Sequence, residues 1–165
     1  MVTSNISLGV NVNIDPGSSV NNVRIGDNTK IAKRCSVYGS ANNILEIGND
    51  SYIGMNSTIN GFAAKIIVGS NVSIAQNVNI MADSGPNASQ VLQKIYPLIE
   101  GTIEIGNHCW IGANSIIMPG VTLGDFCIVG ANSYVNSSFP HYSIIGGTPA
   151  KLIRMLTAEE ISKIS

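Results

Sequence analysis

Aliphatic residues recur at every sixth position of this 165-residue chain, most plainly at Ile105, Ile111, Ile117, Leu123, Val129 and Val135. A period of six matches neither the 3.6 of a helix nor the 2 of a strand; it marks one side of a triangular coil. Three hexads close one turn of a parallel β-solenoid, with the aliphatic residues filling its axis. The same register runs through Leu8, Ile14, Val20; Ile25, Ile31, Val37; Ile47, Ile53, Ile59; and Val68, Ile74, Ile80. Six triplets predict an all-β chain of about six coils. Slips near residues 39–46 and 60–67 predict bulged corners.

The composition agrees. Gly and Asn are heavily used, as many tight turns require, and aromatic residues are few, as suits a narrow interior. The formal net charge is −1 and there is no basic run, which excludes a nucleic-acid footprint or an anionic membrane surface as partner. No apolar stretch approaches the ~20 residues of a membrane helix. The first ten residues, MVTSNISLGV, lack the pattern of a signal peptide, so the expected location is cytoplasmic. Cys35, Cys109 and Cys127 each follow a repeat aliphatic by four residues, the small inward position held elsewhere by Ser51, Ser57, Val78, Ser115 and Ser133. They are expected to be buried, reduced packing residues.

Between Ile80 and Ile105 lie 24 residues where five would keep the register. The surplus must be extruded as a loop, at about residues 81–102, and a long loop on a rigid scaffold usually carries function. Its Ile95, Tyr96, Pro97 and Leu98 need something to pack against. The solenoid is expected to occupy residues 1–154 and a short helical tail residues 155–165. Thr157-Ala158-Glu159-Glu160 reads as a capping box, with Leu156 and Ile161 at the staple positions. It predicts a helix from about 158 to 164, docked on the solenoid or a neighbour and covering an open sheet edge.

Four motifs then point to one family: Trp110-Ile111-Gly112-Ala113-Asn114, Pro119-Gly120-Val121, Gly130-Ala131-Asn132-Ser133 and Gly147-Thr148-Pro149-Ala150-Lys151. The chain resembles the hexapeptide-repeat acetyltransferases, in the branch of galactoside, maltose and polysaccharide O-acetyltransferases. The resemblance implies a single-stranded left-handed parallel β-helix, a homotrimer with active sites in the clefts between subunits, and acetyl-CoA as donor. It implies a sugar or polysaccharide precursor as acceptor, with O-acetylation favoured, and no metal. It gives Ala113 and Ala131 to the pantetheine arm and sets Trp110 beside the transfer site. Gly112, Gly130 and Gly147 lack side chains and would let a long flat ligand approach the backbone. Lys151 and Arg154, close together at the end of the last coil, are the candidates for CoA phosphates. Where relatives often carry Thr-Lys, this chain has Asn136-Ser137, so one expected cation is missing and Asn136 stands in the CoA site.

The chain departs from the family at the catalytic base. Relatives place a His in the extruded loop; here the stretch is Asp83-Ser84-Gly85-Pro86-Asn87. A general base is worth ~10²–10⁴ in rate, so the departure matters. Asp83 lies in the right loop, with Ser84 and Asn87 as acceptor contacts, and His108 stands two residues before Trp110. Three readings follow: Asp83 or His108 substitutes as the base; the acceptor is an amine, which needs no prior deprotonation; or the protein is a non-catalytic CoA-binding scaffold. A zinc hydratase on the same solenoid would need three His, and only His108 and His141 exist.

Overall fold

A computed structural model describes residues 4–165; the expected domain start, at residues 1–3, lies outside them. The chain winds into a left-handed parallel β-helix of six full coils. We call its faces sheets A, B and C, in the order the chain meets them. The second coil shows the plan: Val23–Ile25 in A, Lys30–Ile31 in B and Ser36–Tyr38 in C. Sheets A and C each hold six strands; sheet B holds eight. Coil-to-coil partners are 17 residues apart at the first step, 22 and 21 at the next two, and 18 at the last.

From the second coil on, the repeat aliphatics fill the axis as expected. Ile31, Ile53, Ile74 and Ile111 stack through sheet B, each with no exposed surface. Full burial of such a side chain stabilises by about 1.5–3 kcal/mol. The small inward position has a defined task. Cys109 Sγ donates to the Gly124 carbonyl at 3.1 Å and Cys127 Sγ to that of Pro140 at 3.2 Å. Ser57 Oγ donates to the Ala75 carbonyl at 3.1 Å. Ser and Cys are thus interchangeable donors to the neighbouring coil. The three thiols are buried and free, and burial pushes that of Cys35 above its ordinary range.

Corners explain the Asn usage. Among the described residues, fourteen non-Gly residues have positive φ and nine of them are Asn, the residue that best tolerates this region. At the A–B corner they bond from coil to coil: Asn28 Nδ2 donates to Asp50 Oδ1 at 3.0 Å. In the upper coils ring stacking replaces this ladder. His108 stacks on Phe126 with centroids 4.7 Å apart and planes 4° from parallel, and Phe126 stacks on Tyr142 at 5.5 Å.

Both slips form turns at the C–A corner. Ser40 and Asn43 exchange backbone hydrogen bonds, and Asn43 Nδ2 donates to the Phe62 and Ala63 carbonyls, tying the two bulges together. The extruded loop leaves from this same corner. An antiparallel ribbon of Asp83–Ser84 with Ile99–Glu100 forms its base, and a short 3-10 turn at Leu92–Lys94 lies toward its tip. Among the described residues little covers the loop's apolar tip: Val91 is 75% exposed, Ile95 72% and Tyr96 66%.

The C-terminus corrects the sequence reading. After the sixth coil, Ser143–Gly147 adds to sheet B, and Ala150–Met155 returns antiparallel beside it. The edge of sheet B is therefore closed by a strand and not by the helix. The helix is shorter than expected, Ala158–Ser162, but its capping box is present, with Glu160 N–H donating to Thr157 Oγ1 and Thr157 N–H to Glu160 Oε2.

Candidate active site

Every outward residue that precedes an inward aliphatic in sheet B falls on one column. In register it reads Asn13, Lys30, Tyr52, Ser73, Trp110, Ile128 and Ile144. Trp110 is 55% exposed, as its place after the inward Cys109 predicts. Ser73 and Ile128 are its neighbours on either side. Sequence reading missed Ser73 and Tyr52; their shared hexad position with Trp110 was the signal.

Beyond the B–C corner lie the CoA candidates. The amide N–H groups of Ala113 and Ala131 form no hydrogen bond among the described residues, so they are free to donate to a ligand. Gly130 has open space: a Cβ there would meet nothing closer than 3.5 Å. Gly112 requires a correction. It is buried, and a Cβ would lie 2.5 Å from the Ala131 nitrogen and 2.7 Å from the Val129 carbonyl. Gly112 lets two coils pack and does not open the backbone to a ligand. Gly112→Ala is expected to cost about 1–3 kcal/mol of stability, while Gly130→Ala stays close to wild type; chemical denaturation of both checks this. Gly147, at φ +105°, is required by the turn.

Lys151 and Arg154 sit on the return strand, not at the end of a coil. Lys151 is exposed and makes no ion pair among the described residues. Arg154 is engaged: its guanidinium grips Glu160 through two bonds of 2.7 and 2.9 Å. This pair holds the Glu160 carboxyl well down, at about 2. Asn136 is exposed beyond the last strand of sheet C.

The loop residues converge elsewhere. At the C–A corner Asn60 Nδ2 donates to Asp83 Oδ1 at 3.2 Å. The nearby Tyr38 phenol is pushed above its ordinary range by burial and then by the Asp83 charge, so it stays protonated. Asn60 and Tyr38 were missed in the sequence; both end strands of sheet C just below the loop. Ser84 is half-buried in the ribbon, and Asn87 is exposed, its N–H bonded to the Gly85 carbonyl.

The structure thus separates what the sequence grouped. Within one chain the width of sheet C lies between Asp83 and the Trp110 column. His108 lies on the A–B corner, its ring committed to the Phe126 stack and its N–H to the Ser70 carbonyl at 2.9 Å. Among the described residues no group of three His, Cys, Asp or Glu converges on a metal position, and no helix is long and apolar enough to cross a membrane.

Comparison with known proteins completes the assignment. Residues 44–82 and 102–137 match the hexapeptide repeat of succinyl-transferase. Protein CapG of Staphylococcus aureus is 42% identical over 70% of this chain and 69% of its own length. The galactoside O-acetyltransferase of Escherichia coli K12 is 34% identical over 72% of this chain, which spans 57% of that enzyme. The dTDP-4-amino-4,6-dideoxy-D-glucose acyltransferase of Escherichia coli is 31% identical over 96% of this chain and 89% of its own. Among solved structures, AntD, an N-acyltransferase from Bacillus cereus in complex with dTDP and 3-hydroxybutyryl-CoA, superposes with a TM-score of 0.81 at 26% identity, over 96% of this chain and 87% of AntD. Repeat, fold and relatives agree: the chain belongs to the hexapeptide-repeat acetyltransferases and is an acyltransferase.

Proposed function

We propose that the protein transfers an acetyl group from acetyl-CoA to the amino group of a sugar, at a site built between copies of the chain. One observation carries this: the loop that should hold a His holds a carboxylate, Asp83, oriented by Asn60. Acetyl-CoA supplies a thioester carbonyl whose C–S bond breaks as the new bond to the acceptor forms. A sugar hydroxyl needs a strong base as it attacks. An amine attacks through its own lone pair, and its nitrogen then carries an acidic proton that a carboxylate takes up readily. The relatives support the amine: the acyltransferase of a dTDP-amino sugar matches nearly the whole chain, and AntD is an N-acyltransferase. AntD has also been solved with single changes at an aspartate and at a serine; these lie as far apart in its chain as Asp83 and Ser73 do here.

The free amides of Ala113 and Ala131 would hold the pantetheine arm, Trp110 would wall the reacting end, and Lys151 would face the phosphates. Asp83 and the apolar loop tip would come from the neighbouring copy, which explains why that tip is uncovered in one chain. A homotrimer, as the family implies, supplies three such clefts.

Hydroxyl transfer is the second reading, favoured by His108, whose ring nitrogens form no hydrogen bond among the described residues. Release of CoA, followed with a thiol reagent over amino sugars and their hydroxyl analogues, separates the two. Turnover confined to amino sugars is expected, unchanged in His108→Ala. Turnover on hydroxyl sugars that collapses in His108→Ala overturns the proposal.

A further inference from the structure

Asn60 has a second contact at the C–A corner. While its Nδ2 donates to Asp83 Oδ1 at 3.2 Å, its Oδ1 accepts the Phe62 N–H at 3.0 Å. One side-chain amide thus joins the loop carboxylate to the bulge that carries Phe62. The same bulge is pinned by Asn43, whose Nδ2 meets the Phe62 and Ala63 carbonyls, each at 3.2 Å. Although its backbone is held in this way, the Phe62 ring stands in solvent, 64% exposed.

That ring forms part of a groove of about 230 Å³, lined also by Ser19, Asn21, Asn22, Tyr38 and Gly39. Tyr38 is half-buried, and its hydroxyl has no hydrogen-bond partner among the described residues, although a buried phenol usually finds one. The Asn22 side chain accepts from Asn5 Nδ2 at 2.7 Å, while its own amide nitrogen has no partner among the described residues. No lining residue is charged. Lys65, three residues beyond Phe62, is held by Glu46 at 2.8 Å, and the charge felt by the Tyr38 phenol is that of Asp83. A phosphate would meet no cation here and a like charge close by.

In sheet C, Asn21, Tyr38, Asn60 and Met81 follow one another in register. Tyr38 is therefore two strands below Met81, roughly 10 Å at ~4.8 Å per strand, and Asp83 follows Met81 by two residues. That span suits two linked sugar rings. Two aromatic side chains, together with an unpaired hydroxyl and an unpaired amide, match a ring with apolar faces and a polar edge.

We propose that this groove holds an uncharged sugar ring, so that the acceptor is an amino sugar already joined by a glycosidic bond to a second sugar. The reacting amine lies at Asp83. The second ring packs on Phe62 and Tyr38, and its oxygens accept from the Tyr38 phenol and the Asn22 amide. A glycosyl transfer must then supply the substrate of this enzyme. The inference rests on the amino-sugar acyltransfer proposed above.

The test is CoA release by the full chain with the amino sugar that turns over best, offered in three forms: free, as its α- and β-linked disaccharides with a neutral hexose, and as its nucleotide diphosphate ester. Wild type, Phe62→Ala and Tyr38→Phe are compared, with thermal unfolding to show that each variant is folded. Expected is a kcat/KM at least tenfold higher for one disaccharide than for the free sugar or the nucleotide ester. Phe62→Ala should raise the KM for that disaccharide at least tenfold more than the KM for the free sugar, and Tyr38→Phe should act in the same direction. Equal use of free sugar and disaccharides, preference for the nucleotide ester, an equal effect of Phe62→Ala on both sugars, or a rise in the KM for acetyl-CoA instead would overturn the inference. In each of these cases turnover of an amino sugar leaves the acyltransfer reading standing while the groove fails. No turnover of any form, with acetyl-CoA still bound, would remove that reading and the inference with it.

Discussion

Replacing Asp83 by Asn is expected to lower the turnover of an amino-sugar acceptor by about 10²–10³, with the KM for acetyl-CoA little changed. The amide keeps the shape of the side chain and can still meet Asn60, which holds Oδ1 at 3.2 Å, but it no longer accepts a proton. The contrast is with His108→Ala. That ring spaces the upper coils by stacking on Phe126, so its removal should lower stability slightly and leave turnover intact. Unaltered turnover in Asp83→Asn would exclude the loop carboxylate as base.

The second large effect is expected at Trp110. Its indole stands out from sheet B between Ser73 and Ile128, more than half exposed in a single chain. An aromatic residue of that size on an open face is there to be covered. Trp110→Ala should lower kcat/KM by about 10²-fold or more through misplaced reacting groups. The solenoid should remain intact, because the side chain contributes nothing to the axis. Thermal unfolding should shift little while CoA release nearly stops; a large loss of stability with normal turnover would contradict this.

Much of the fold was legible because a six-residue period leaves few alternatives: from the second coil on, the predicted inward positions are those that fill the axis, while Leu8 of the end coil is 48% exposed. The loop was legible as a break in that register. The return strand at Ala150–Met155 was not, because Leu152 and Ile153 sit where a seventh coil would place its own residues. Only the antiparallel pairing with Ser143–Gly147, with its irregularity at Ile144 and Ile145, distinguishes the two. Gly112 misled for a related reason: a missing side chain serves coil packing as well as ligand approach, and only the 2.5 Å to the Ala131 nitrogen decides. The site was legible as a set of residues but not as an arrangement. A linear repeat does not disclose that Trp110 and Asp83 lie on different faces, and under the function proposed above two copies of the chain are needed to bring them together.

That need gives the most direct test. Asp83→Asn and Trp110→Ala are each expected to be nearly inactive alone. Unfolded together and refolded as a mixture, they should regain activity, because in a mixed trimer one cleft pairs an intact Asp83 with an intact Trp110. For random assembly the recovery should be about a quarter of the wild-type rate. Recovery at that level places the acyltransfer site between copies; a mixture as inactive as its two components, with mixed trimers shown to form, would contradict it.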